Sequence, residues 1–127
     1  MAKIVVRGEG LPKPAGPYSP AIMAADYVFC AGQVGRNPAT GEMSTTIEEQ
    51  TRQVLLNLQS ILKAAGASLD NAVKTTVFMA DMNEFSRMNA EYTKFFPRDP
   101  PARSTVGVTM APGIKIEIEL VACVGKK

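Results

Sequence analysis

Ile114-Lys115-Ile116-Glu117-Ile118-Glu119-Leu120-Val121-Ala122-Cys123-Val124 is the stretch on which the fold turns. Its strict alternation reads as a strand with Ile116, Ile118 and Leu120 on one face and Glu117, Glu119, Val121 and Cys123 on the other. The first face belongs in a core, whereas the second is only half polar. The β-branched run at residues 72–79 behaves similarly, placing Val73, Thr75, Val77 and Met79 together and Phe78 opposite. Helices covering one side of such a sheet leave apolar side chains on the other. Association of the chain with copies of itself is the expected remedy.

Working back from that strand, a turn at Ala111-Pro112-Gly113 separates it from another strand at residues 104–109, which follows a proline-rich breaker at residues 97–101. Before the breaker, Asp81 opens a helix whose apolar face carries Phe85, Met88, Tyr92, Phe95 and Phe96, with Asn89 beside it. A longer helix is signalled by Thr46 and Glu49 at capping-box spacing, by Ile47, Thr51, Val54, Leu55, Leu58, Ile61, Leu62 and Ala65 on one face, and by Gly66 as its stop. Residues 27–34 form a strand rich in β-formers, and the turn Asn37-Pro38-Ala39-Thr40-Gly41 ends it. Gly32 inside that strand points to a close backbone approach. The four prolines of residues 11–20 make a stiff loop after a short strand at residues 3–7. The predicted order is ββαβαββ: residues 1–127 as one α+β domain, a mixed sheet with two helices on one face.

The 127 residues include no histidine. That excludes a Ser-His-Asp or Cys-His nucleophile and a histidine base, leaving proton transfer to a carboxylate, a tyrosine or water. Cys30 and Cys123 are too far apart in sequence for a C-x-x-C motif and read as small buried hydrophobes, so neither a metal nor a dithiol centre is expected. Fourteen Lys and Arg against twelve Asp and Glu give a formal charge of +2, spread along the chain. That is no nucleic-acid footprint, and small molecules or protein surfaces are the expected partners. No segment approaches the roughly 20 apolar residues of a membrane helix or resembles a signal peptide, which predicts a cytoplasmic protein with no membrane partner.

Four residues invite a chemical reading. Arg103, between a proline pair and a strand, is placed to grip a carboxylate through two parallel hydrogen bonds, although a solvated loop arginine has the same sequence signature. Glu117, paired with a second carboxylate two residues on in the same strand, is suited to ordering a water, and a wet strand face also reads this way. The apolar continuation at Val121 and Cys123 favours the pocket. Tyr18 in its rigid loop is suited to closing a small pocket or to simple packing, and a buried Asn89 needs hydrogen-bond partners.

Gly16-Pro17-Tyr18-Ser19-Pro20-Ala21, Ala31-Gly32-Gln33, Lys74-Thr75-Thr76-Val77-Phe78-Met79, Asn89-Ala90-Glu91-Tyr92, Phe95-Phe96, Pro101-Ala102-Arg103-Ser104 and Ile116-Glu117-Ile118-Glu119 occur in this order. Together they resemble the RidA/YjgF reactive intermediate deaminase family over nearly the whole chain. The resemblance implies a chorismate-mutase-like fold assembled as a homotrimer, with the sheets around a central barrel and active sites between subunits. It implies hydrolysis of 2-imino acids such as 2-iminobutanoate and 2-iminopropanoate to 2-keto acids and ammonia, with no metal or cofactor. By position, Arg103 then binds the substrate carboxylate, Glu117 holds the attacking water and Tyr18 lines the pocket. Gly32 and Thr105 offer backbone groups, and Asn89 supports the wall. Two positions depart from the family pattern: Ala31 stands where a serine is usual, removing a hydroxyl from the substrate site, and Thr105 where many members have cysteine. Two rival readings are a non-catalytic trimer that captures a small carboxylate such as a 2-keto acid, and the endoribonuclease or translation inhibitor attributed to some relatives.

Overall fold

The computed structural model describes residues 2–125. Its strands are β1 (Ile4–Val5), β2 (Ala21–Ala24), β3 (Tyr27–Val34), β4 (Ala72–Met79), β5 (Ala102–Gly107) and β6 (Ile116–Cys123), with helices α1 (Ile47–Ala64) between β3 and β4 and α2 (Phe85–Phe95) between β4 and β5. They form one six-stranded sheet in the order β1-β2-β3-β6-β4-β5. β4 and β5 are parallel and every other pairing is antiparallel. The sheet is mixed, as expected, and the chain is a single α+β domain.

The observed order is βββαβαββ, one strand more than the sequence predicts. The extra strand is β2, which pairs with β3 through a turn at Ala25-Asp26. That turn contains no glycine or asparagine, and Ala25 itself adopts φ 51°. A left-handed alanine carries no turn signal, so the hairpin is invisible to composition. Asp81 also differs from expectation: its carboxylate accepts from the Asn83 N–H at 2.9 Å and caps a short 3₁₀ turn, and α2 proper begins at Phe85.

Both helices lie on one face because β3 and β4 are each antiparallel to β6, and β4 is parallel to β5. The two β-α-β crossovers therefore advance in the same direction across the sheet, and crossovers of one hand pack their helices on one side. The α1 N-terminus is held by Thr46, whose Oγ1 accepts from the Glu49 N–H at 3.2 Å. Val54, Leu55, Leu58, Ile61 and Leu62 of α1 are fully buried against Val28, Val77, Met79, Ile116, Ile118 and Leu120 of the sheet.

Two buried amides on α1 tie neighbouring loops to this core. Gln50 donates to the Ser44 and Gly113 carbonyls at 2.7 and 2.8 Å and accepts from the Lys115 N–H at 2.9 Å. Asn57 donates to the Val34 and Arg36 carbonyls and accepts from Gln53. Gly35 lets the chain pass against α1: a Cβ there meets the Gln50 Cα at 2.8 Å.

The other face of the sheet is open. Tyr27 and Phe29 are 44% and 46% exposed on it, and Phe78 and Val121 are half-buried. Val73, expected on the core side with Thr75, is instead 45% exposed. It is the extra residue of a bulge between Ala72 and Lys74 opposite β6, which takes it out of the alternation.

Candidate functional site

Pro12, Lys13, Ala15 and Tyr18 of the proline loop form one wall of a cleft of about 360 Å³, and Gly32, Gln33, Val34, Arg36, Pro38, Asn57, Ile114 and Glu117 form the rest. Tyr18 is held by its own loop, its Oη accepting from the Ala15 N–H at 3.1 Å, while its ring stays half exposed. Asn57 fixes the backbone of Val34 and Arg36 from below. A more open hollow of about 440 Å³ beside the start of α1 contains none of the candidate site residues.

Glu117 lies on the open face of the sheet, and its carboxyl occupies the space that Gly32 leaves free. A Cβ at Gly32 sits 2.8 Å from the Glu117 Cδ, so no larger residue fits without moving the carboxylate. The register between β3 and β6 shifts between Cys30 and Gln33, and this irregularity turns Gly32 towards the glutamate. Half-burial pushes the Glu117 carboxyl above the usual carboxylate range, and the like charge of Glu119 adds to the effect. A carboxyl with a raised pKa is a stronger base once ionised, and so better suited to taking a proton from a water.

Arg103 is set differently. Its Nη1 donates to the Asn89 Oδ1 at 2.7 Å, and its guanidinium carbon lies 4.7 Å from the Tyr92 ring centre and 5.6 Å from that of Phe85. All three partners project from α2. No carboxylate pairs with it among the described residues, and it is half-buried. A guanidinium so held keeps donors free for a planar anion.

Arg103 and Glu117 do not converge within one chain. In the sheet register Arg103 lies beside Thr75, which is fully buried under the helices, whereas Glu117 lies beside Phe78 on the open face. Side chains in register share a face, so the two candidates point to opposite sides. Thr105 lies beside the buried Val77 and shares the Arg103 side. The structure thus gathers Tyr18, Gly32 and Glu117 in one place and Asn89 and Arg103 in another. Ala31 lies outside the lining of the cleft, its N–H donating to the Pro20 carbonyl at 3.0 Å.

Lys13, Arg36 and Asn57 in the cleft, and Phe85 and Tyr92 as ring partners of Arg103, were not selected as site residues from the sequence. Phe85, Asn89 and Tyr92 stand at i, i+4 and i+7, one helical face, and that spacing is the signal that links them to the arginine. Among the described residues no group of three or more His, Cys, Asp or Glu side chains is placed to hold a metal ion. Burial pushes the Cys30 thiol up to about 12, which leaves it inert as a nucleophile.

The model of the family described as Endoribonuclease L-PSP matches residues 9–124. The chain belongs to the Ribonuc_L-PSP/RidA family. Over 122 residues it is 48% identical to Reactive Intermediate Deaminase A, chloroplastic, of Arabidopsis thaliana, covering 94% of this chain and 65% of that protein. It is 41% identical to the human 2-iminobutanoate/2-iminopropanoate deaminase over 116 residues, covering 90% and 85% of the two chains. The crystal structure of the YjgF gene product of E. coli superimposes with a TM-score of 0.90 at 39% identity, covering 94% of this chain and 98% of that one. Among the described residues of this RidA-family chain, no helix is long and apolar enough to cross a membrane.

Proposed function

We propose that this chain is a cofactor-free hydrolase of reactive 2-imino acids, 2-iminobutanoate and 2-iminopropanoate, releasing the 2-keto acid and ammonia. The observation that carries the reading is Arg103: a half-buried guanidinium fixed by Asn89 and two rings, with no carboxylate partner among the described residues. Such a group fits the one feature that all 2-imino acids share, a carboxylate beside the reacting carbon. Two relatives with deaminase names support the same chemistry.

In this reading Glu117 takes a proton from a water as the water oxygen bonds to the carbon of the protonated imine, giving a neutral tetrahedral carbinolamine. Glu117 returns that proton to nitrogen, the C–N bond breaks as the C=O bond forms, and the hydroxyl proton passes to Glu117 and on to the departing ammonia, leaving the keto acid and ammonium. Tyr18 closes the cleft, and the backbones of Gly32 and Thr105 flank the reacting carbon. Imines hydrolyse readily, so orientation by the arginine and one positioned water is catalysis enough. Because Arg103 and Glu117 face opposite sides of one sheet, the site is completed by a second copy. A homotrimer that closes the open faces over Tyr27, Phe29 and Val73 meets both needs.

The family description names an endoribonuclease, a reading with little support here, since the chain has no histidine and only 6% aromatic residues. The test is imine disappearance, with substrate generated in place by a dehydratase and competed against semicarbazide. Arg103→Ala should lower kcat/KM by about 100-fold. Glu117→Gln should lower kcat by about 100-fold and still bind 2-oxobutanoate. Equal trapping by wild type, both variants and buffer would sink the proposal and favour a carboxylate-capturing trimer.

A further inference from the structure

Tyr92 belongs by composition to the apolar face of α2, and it is 4% exposed. Its environment is more specific than a packing role requires. Its hydroxyl shares a 2.8 Å hydrogen bond with the Thr75 Oγ1, itself fully buried on β4, so the ring is anchored at its far end to the sheet. Its flank packs on Phe96 with ring centres 4.7 Å apart. Thr75 is also the register partner of Arg103, which places the anchor directly beside the arginine's own backbone. The free ring face is where the Arg103 guanidinium lies, 4.7 Å from its centre.

We infer that the Tyr92 ring is a positioning platform for Arg103: it fixes the plane of the guanidinium while Asn89 fixes its rotation about that plane. The inference rests on the deaminase reading only in saying what Arg103 grips. Two constraints of different kinds are needed. The single hydrogen bond from Nη1 leaves the guanidinium free to tilt about the Asn89 contact, and a ring beneath it removes that tilt. Phe85, at 5.6 Å, flanks the group more loosely. The N–H groups not engaged by Asn89 then remain as a preset fork for a carboxylate, with the entropy of ordering a long side chain already spent in folding. The hydroxyl of Tyr92 only supplements this, because burial and the packing on Phe96 hold the ring without it.

The experiment reads the arginine itself. In a side-chain nitrogen–proton spectrum of the full-length protein, a guanidinium stacked on an aromatic ring shows an upfield-shifted Nε–Hε resonance, assigned to Arg103 by its loss in Arg103→Ala. The expected result is that shift in the wild type, its retention in Tyr92→Phe and its collapse in Tyr92→Leu. Binding of 2-oxobutanoate should weaken by about tenfold in Tyr92→Leu and stay within about twofold of wild type in Tyr92→Phe. An unshifted resonance in the wild type overturns the inference, and that outcome is readable even if Tyr92→Leu does not fold. So does a folded Tyr92→Leu whose Arg103 resonance and 2-oxobutanoate affinity match the wild type. A Tyr92→Phe that loses as much as Tyr92→Leu also overturns it, because the ring would then not be the working part. A shifted, Tyr92-dependent resonance in a protein that hydrolyses no imine upholds the platform and removes the deaminase reading alone.

Discussion

The surroundings of Arg103 and of Glu117 are built on opposite principles. Arg103 is defined by what touches it: an amide oxygen at 2.7 Å and two aromatic rings, all supplied by one helix. Glu117 is defined by what is missing: the side chain that Gly32 lacks and, among the described residues, an ion-pair partner to offset its half-burial. The cation is therefore comfortable and fixed, whereas the carboxylate is held where its charged form is disfavoured. A binding group gains from the first arrangement and a proton-exchanging group from the second. That division of labour matches the roles proposed for them, and each role can be attacked separately.

The largest effect comes from separating the two groups onto different chains. In the proposed homotrimer, Arg103→Ala and Glu117→Gln should each be nearly inactive. Co-expressed and purified as a mixed assembly, they should recover about one third of wild-type activity, because in a closed ring of three one interface always joins an intact arginine to an intact glutamate. Measuring activity of the mixed trimer against each parent checks this. No recovery would mean that both groups act from one chain, which the sheet register argues against.

A smaller effect is expected from filling the space that Glu117 uses. In Gly32→Ala the new methyl meets the carboxyl carbon at 2.8 Å, and the side chain is the part that can yield. Turnover should fall by about tenfold or more, as expected for a misplaced reacting group. Binding of 2-oxobutanoate, the role proposed for Arg103, should stay near wild type. Steady-state kinetics beside a binding titration separates the two, and a parallel loss of both would show that the whole cleft had shifted instead.

Much of this contrast was legible in the sequence, because it depends on periodicity. Ile116, Ile118 and Leu120 are buried and Glu117 and Glu119 face the other way, as strict alternation demands, and Thr46 caps α1 where its spacing places it. What escaped depends on events that break periodicity or join distant segments. β2 is missed because its turn runs through a left-handed alanine, and Val73 is misplaced because a bulge carries one residue without a partner. The opposition of Arg103 and Glu117 follows only from pairing β4 with both β5 and β6, which no local pattern encodes. Tyr92 is hidden by its own hydrophobicity: a ring that serves as a platform and a ring that fills a core have the same place on a helix wheel.

The smallest expected effect tests the electrostatic half of the comparison. Glu117 must be ionised to take a proton from water, so activity falls as pH drops through its pKa. With that pKa raised by burial and by Glu119, the acid limb of kcat/KM lies above the usual carboxylate range. Glu119→Gln removes the like charge, which is the lesser cause, so the limb should move to lower pH while remaining above the ordinary range. The plateau rate should hardly change, since Glu119 is exposed and acts through the field rather than by contact. A pH-rate profile of the two proteins decides it. A limb that stays in place would mean that burial over Gly32 alone sets the carboxyl; one that moves upward would mean that Glu119 had been supporting the charge of its neighbour instead of opposing it.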